Sequence, residues 1–224
     1  MTKPINIAID GPSGAGKSTL ARRLAAELNF VYVDTGAMFR TIALYCARKG
    51  VDSADKAAVV ALLPDITLDM TYGANGEQQM LLNGENVSGL IRTPEISMYT
   101  SAISAYPEVR SFLLEQQREL GRRQSILMDG RDIGTVVLPD APIKIYLTAA
   151  PEARAHRRWL ELAEKGETVT EEEVLRDVIQ RDYNDTHRDV APLRQAEDAV
   201  LADTSELNLE ESYELLMSII RERM

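Results

Sequence analysis

Gly11-Pro12-Ser13-Gly14-Ala15-Gly16-Lys17-Ser18 satisfies the pattern G-x-x-x-x-G-K-[ST] at every position. It follows a short β-branched run, Ile5 to Ile9, closed by Asp10, and precedes a stretch with Leu20, Leu24 and Leu28 on one helical face. Strand, glycine-rich turn and helix together make a phosphate cradle. The glycines let the backbone curl so that its N–H groups converge on phosphate oxygens, and the helix aims its positive end at the same point. In such a P-loop Lys17 reaches the β- and γ-phosphates of a nucleotide, and Ser18 ligates Mg²⁺.

Outward from the loop, Phe30 to Val33 reads as a second strand closed by Asp34, and about 37–49 as a helix stopped at Gly50. Strand, helix, strand, helix is the rhythm of a parallel sheet. The middle breaks it. Ile66 to Met70 and Gln79 to Leu82 are predicted strands separated by Gly73-Ala74-Asn75-Gly76, and Asn83-Gly84 is a hairpin signal, so about 65–92 is an antiparallel insertion. Thr93-Pro94-Glu95 and Pro107 each open a helix, the second turning Val109, Phe112, Leu113 and Leu120 inward. Strands are predicted again at Ile126 to Asp129, Ile143 to Leu147 and Ala199 to Ala202. Between the last two lie helices at about 151–164 and 170–184, joined by an exposed turn at Lys165-Gly166-Glu167; the second opens with a capping box at Thr170 to Glu173. A final amphipathic helix carries Leu209, Tyr213, Leu216 and Ile220.

Composition narrows the function. The chain has 224 residues, is 45% hydrophobic and 27% charged, and is therefore a folded globular chain and not a disordered one. Its formal net charge of -10 excludes non-specific binding to nucleic acid or to an acidic membrane. An anionic ligand must then be held by a local cluster of basic groups. Of the 25 basic residues, 19 are Arg and 6 are Lys, and the Arg fork grips phosphate in two places at once. Cys46 is the one cysteine, which forbids an internal disulfide, fits a reducing compartment and reads as a buried structural thiol. Two histidines and one cysteine cannot furnish a zinc-finger ligand set. The N-terminus has no signal-peptide character, and the longest apolar run, Ala57 to Leu63, is too short to span a bilayer, so the expected compartment is the cytoplasm.

Further candidates cluster at the carboxyl ends of the predicted strands, where open α/β sheets bind ligands. Asp129 ends an apolar strand, the place where P-loop proteins put a carboxylate that organises Mg²⁺ or its waters. Arg40, Arg110, Arg131, Arg181 and Arg188 follow strand ends or sit on neighbouring helices. No N-K-x-D guanine-reading motif occurs, which argues against a GTPase switch.

Several blocks carry a resemblance. IDGPSGAGKST at 9–19, DTGAMFR at 34–40, SGLIRT at 88–93, DGRDIGTVVLPDAP at 129–142, AHRR at 155–158 and RD-x-x-D-x-x-R-x-VAPL at 181–193 together resemble the bacterial cytidylate kinases, nucleoside monophosphate kinases with a P-loop. The resemblance covers nearly the whole chain. It implies a three-layer α/β sandwich on a five-stranded parallel sheet, with a small antiparallel monophosphate-binding insertion and a lid. One domain, 1–224, would divide into a core at about 1–64, 93–150 and 185–224, the insertion at about 65–92 and the lid at about 151–184.

The implied activity is ATP-dependent phosphorylation of CMP and dCMP with Mg²⁺, in pyrimidine nucleotide metabolism, by a monomer that takes small molecules and neither nucleic acid nor membrane as partners. By this resemblance Gly11, Pro12, Ser13, Gly14, Ala15, Gly16, Lys17, Ser18 and Thr19 hold the ATP phosphates. Ser101, Arg110 and Asp132 read the cytosine, and Arg181 and Asp185 hold the ribose. Thr35, where Ser is familiar, keeps a hydroxyl beside Arg40, Arg131 and Arg188, which clamp the acceptor phosphate. Arg154, Arg157 and Arg158 close over ATP from the lid. Lys17, Arg131, Arg188 and Asp129 are the expected catalytic residues, and Ser18 the metal ligand. The rival readings are another small-molecule P-loop kinase with a UMP or AMP acceptor, and a non-catalytic nucleotide-binding regulator.

Overall fold

The computed structural model describes residues 4–73, 77–164 and 166–224; residues 1–3, Ala74 to Gly76 of the expected insertion turn and Lys165 of the expected inter-helix turn lie outside them. Five parallel strands form the central sheet in the order β2-β6-β1-β7-β8, from β1 (Asn6–Asp10), β2 (Val31–Asp34), β6 (Ile126–Gly130), β7 (Ile143–Thr148) and β8 (Val200–Asp203). The strand at the centre, β1, is flanked by β6 and β7, and all three are apolar runs covered on both faces, as a parallel sheet requires. The register sets Asp10 beside Gly130 and Asp34 beside Asp129, so the chain leaves three neighbouring strands at one edge through Asp10, Asp34 and Gly130.

On one face α1 (Lys17–Leu28) and α8 (Leu209–Arg223) bury Leu20, Leu24, Leu216 and Ile220 against Ile7, Ile9 and Leu147. Asn208 caps α8 with a full capping box. On the other side α2 (Thr35–Arg48), α4 (Pro94–Ile103) and α5 (Pro107–Arg123) share a core with the insertion, built on Met38, Ile42, Ile103, Val109 and Leu113. Asp34 caps α2 through the Ala37 amide, and Thr93 caps α4 through the Ile96 amide, with Pro at its first turn as the sequence predicted. Cys46 is buried in this core, and burial pushes its thiol up to about 11, so it is an inert packing residue.

The insertion is a three-stranded antiparallel sheet, β3 (Leu68–Tyr72), β4 (Gln78–Leu82) and β5 (Glu85–Asn86). The strand β5 was not expected; it is only two residues long. The hairpin between β4 and β5 turns on Asn83 and Gly84, both at positive φ, as the Asn-Gly signal requires. Three more elements were unforeseen, one of them a 3-10 turn at Leu63–Asp65. Helix α3 (Lys56–Leu62) is capped by Asp55, and a single π-helical turn occupies Ile133–Val137. Helices α6 (Pro151–Glu164) and α7 (Glu171–His187) pack on each other through Ala155, Val174 and Val178. Among the described residues no helix is long and apolar enough to cross a membrane.

Candidate active site

The P-loop leaves β1 at Gly11, whose φ is 153° and whose Cβ, if present, would lie 1.9 Å from the Leu147 carbonyl oxygen of β7. Glycine is therefore obligatory there: the loop must run against the neighbouring strand. Gly16 sits in the left-handed region at the start of α1, turning the chain into the helix whose N–H groups face the loop. Lys17 is buried, and its ammonium donates to the Pro12 carbonyl at 2.6 Å, across the loop itself. Burial, and then the positive charge of Arg131, hold its pKa well below the usual lysine value, while Asp129, Asp185 and Asp10 oppose the shift. Among the described residues the Pro12 carbonyl is the hydrogen-bond partner of this buried ammonium, and an added phosphate would supply the countercharge it lacks.

Asp129 closes β6 with both carboxylate oxygens engaged. One accepts from Ser18 Oγ at 3.0 Å and the other from the Tyr32 hydroxyl at 3.0 Å. Burial pushes its carboxyl up to about 6, helped by nearby Asp34 and opposed by Lys17. Ser18 and Asp129 thus place a hydroxyl and a carboxylate side by side at the start of α1. These are hard oxygen donors of the kind Mg²⁺ takes when it also binds substrate phosphates. Tyr32 was not singled out from the sequence; the strand alternation that turns it inward was legible, but not its bond to a residue 97 positions away.

The acceptor-side residues are gathered around the same sheet edge. Thr35 donates to the Asp129 carbonyl at 2.8 Å. Arg40 pairs with Asp34 at 2.9 Å, and Arg131 pairs with Asp185 through Nε at 2.8 Å. Arg188 donates through Nε to the Ala191 carbonyl at 2.7 Å and lies 3.8 Å from Asp132. Arg110 is ion-paired with Asp132, donates to the Ser104 carbonyl at 3.0 Å, and packs over the Phe39 ring. Ser101, Asp185 and Arg188 border a cavity of about 390 Å³ that also meets Tyr183, His187 and Met98.

Arg181 is half-buried, and its pKa is lowered to about 10 by desolvation first and then by the charges of Arg131, Arg40 and Arg158. Arg188 is likewise lowered to about 10, by burial and by Arg110 and Arg131. The Nε atoms of Arg40 and Arg181 are buried with no hydrogen-bond partner. Mutually repelling arginines with unanswered donors form a site incomplete without an anion. Arg92 belongs to the group as well: it meets the same Asp34 oxygen as Arg40, at 2.9 Å, from the loop before α4. The block SGLIRT contained it, but nothing in the local pattern distinguished it from a surface arginine.

The three arginines of α6 do not act together. Arg154, expected to reach over ATP, is instead fixed inside the protein. It donates to the Ala149 carbonyl at 2.7 Å, to the Ser13 carbonyl of the P-loop at 3.0 Å and, by both arms of its fork, to Asp182 of α7. Arg157 donates to the Thr204 carbonyl at 2.5 Å beyond β8. Arg158 is the more exposed and pairs with Glu161 at 2.9 Å.

The cytidylate kinase family matches residues 7–222 of the chain. The cytidylate kinase of Flavobacterium johnsoniae is 49% identical over 224 residues, covering 98% of this chain and 97% of that protein. The cytidylate kinase of Geobacter sp. strain M21 is 49% identical over 97% of this chain and 93% of its own. That of Thermosipho melanesiensis is 46% identical, covering 98% of both. A crystal structure of an uncharacterized protein from Eubacterium ventriosum superposes with a TM-score of 0.53 at 12% identity, covering 98% of this chain and 99% of that one, a likeness of fold.

Proposed function

The chain belongs to the cytidylate kinase family, and on that premise we propose that it transfers the γ-phosphoryl group of ATP to CMP and dCMP, with Mg²⁺, at the edge where β1, β2 and β6 end. The observation that carries this reading is the cluster of Arg40, Arg131, Arg181 and Arg188, which holds two buried guanidinium donors without partners. The cluster's own carboxylates relieve its repulsion only in part, an anion would answer the free donors, and the cluster stands beside a P-loop that takes a second one.

The acceptor phosphate is already ionised at neutral pH, so the reaction needs no general base. The protein's task is to bring two anions into line and neutralise the charge between them. The P-loop amides and Lys17 hold the donor phosphates. Arg40, Arg131 and Arg188 orient the acceptor phosphate, with the Thr35 hydroxyl beside them. Arg181 and Asp185 hold the ribose from α7, and Ser101, in the cavity between α4 and α7, reads the base together with Arg110 and Asp132, which lie beside that cavity's Arg188. Lys17, freed from the Pro12 carbonyl, follows the transferred group. Ser18 would ligate Mg²⁺ and Asp129 would organise the ion or its waters, and the ion would neutralise charge on the donor phosphates. The chain works as a cytoplasmic monomer on small molecules.

The test is ATP turnover with and without CMP. Turnover strongly stimulated by CMP, and reduced a hundredfold or more in a folded Lys17→Met variant, is the expected result, because a charged donor in a dry site is commonly worth about that much. ATP hydrolysis indifferent to CMP would overturn the reading.

A further inference from the structure

Asp10 is the last residue of β1, one position before the P-loop, and it is buried. Both of its carboxylate oxygens are held by backbone amides of another segment. One accepts from the Ile133 N–H at 2.7 Å and the other from the Gly134 N–H at 2.7 Å. These amides open the π-helical turn Ile133–Val137, which directly follows Arg131 and Asp132. At its far end the turn is held by Arg118 of α5, which donates to the Val136 and Val137 carbonyls at 2.9 and 3.1 Å. The segment is thus tied at both ends, and its near end is tied to the strand that delivers the donor-phosphate loop.

A wholly buried carboxylate in ionised form is costly, and burial pushes Asp10 up to about 6. An apolar or amide side chain would fold more cheaply unless the two charge-assisted bonds are needed. Resting on the reading of Arg131 as acceptor clamp, we propose that Asp10 is a positioning residue, whose carboxylate sets the Arg131-Asp132 segment in register with the P-loop and so fixes the acceptor relative to the donor. It touches neither substrate. Its effect passes through the backbone of Ile133 and Gly134 to the side chains just before them.

Asp10→Asn keeps the shape but sets an NH₂ against one of the two amides. The expected result is a KM for CMP raised about tenfold with a lowered kcat, in line with the loss of one charge-assisted bond. The Kd of a fluorescent ATP analogue on the acceptor-free enzyme should stay within about threefold, and the Ile133 and Gly134 amides should exchange hydrogen faster. Gly134→Ala presses on the same contact from the other side, since its Cβ would meet Asp10 Oδ2 at 3.4 Å and Lys144 Cδ at 3.1 Å; it should move the KM for CMP in the same direction. An unchanged KM for CMP in whichever variant folds, an equal loss of ATP-analogue affinity, or failure of both variants to fold would each overturn the proposal. Failure of the wild-type enzyme to use CMP at all would instead overturn the proposed function.

Discussion

Asp132 has two competing duties that a single substitution separates. Its carboxylate is ion-paired with Arg110, and Arg188 stands 3.8 Å away. In one account it accepts from the N4 amino group of cytosine, while Arg110 donates to the ring acceptors. Uracil presents an oxygen where cytosine has that amino group, so Asp132 would then face another acceptor. In the other account it only balances the charge of Arg110 and Arg188. A base-reading Asp132 predicts that Asp132→Ala narrows the ratio of kcat/KM on CMP to that on UMP by about tenfold to a hundredfold, one mispaired base contact being worth about 1–3 kcal/mol. Equal losses on both substrates would leave Asp132 with the balancing duty alone. Asp132 is a residue whose partners the sequence could not name. Arg110 is 22 positions away on another element, and only the packing of α5 against the turn after β6 brings them together.

Among the elements, α6 joins two mechanical regimes. Its first turn belongs to the core: Arg154 is 2% exposed and bolts the P-loop carbonyl of Ser13 to Asp182 on α7. Its outer half is largely exposed from Leu160 onward, Leu162 packing against α7, and Arg158 is held by a surface pair. A lid moved by these helices therefore bends beyond Arg154. With both nucleotides or a bisubstrate mimic bound, hydrogen exchange should slow across 158–164 and stay unchanged at 151–155. Arg154→Ala should cost about 2 kcal/mol, since it leaves a half-buried carboxylate and two carbonyls unanswered, and lower Tm by roughly 4–8 °C. A loss of activity at wild-type Tm would return Arg154 to the phosphates. Element by element, the sheet and the P-loop were legible because each depends on neighbours in sequence: β-branched runs, glycines, caps. The short helix α3 was hidden because only Val59 of its seven residues is buried, so it has almost no amphipathic signal. The π-helical turn was hidden because the groups holding it, Asp10 and Arg118, come from other elements. The partners of Arg154 were hidden for the same reason, since Ser13 and Asp182 come from other elements. An arginine near AHRR reads as a phosphate ligand until the fold shows three acceptors already around it.

At the scale of the whole molecule, the site leaves its mark on stability as a function of pH, through carboxylates of opposite sign. Asp34 is held below the usual carboxylate range by Arg40 and Arg92 against the effect of burial, and Asp185 by Arg131. Each contributes stability present above about pH 4 and lost as acid protonates it. Asp10 runs the other way. Its carboxyl rises from 3.8 to about 6 through burial and through Asp132, against the two amides and Lys17; Arg131 from the following segment and Tyr146 from β7 also face it, and the stem of Lys144 packs against Gly134 beside it. The folded state then holds the Asp10 proton more tightly than the unfolded chain, so its contribution is greatest below pH 3.8 and is lost as pH rises through about 6. Acidification also lowers the self-repulsion of a chain carrying -10, in the same direction. Stability of the ligand-free protein, kept in chelator, should therefore rise from pH 7.5 to 5 and collapse below about 4. Asp10→Asn isolates the one carboxyl from the rest. The Tm of the wild type minus that of the variant should be larger at pH 5 than at pH 7.5 by roughly 3–6 °C, the equivalent of about 1–2 kcal/mol in a chain of this size. If that difference is flat or grows toward neutral pH, burial does not raise the Asp10 carboxyl in the folded protein, and its two backbone bonds outweigh the cost of desolvating the charge.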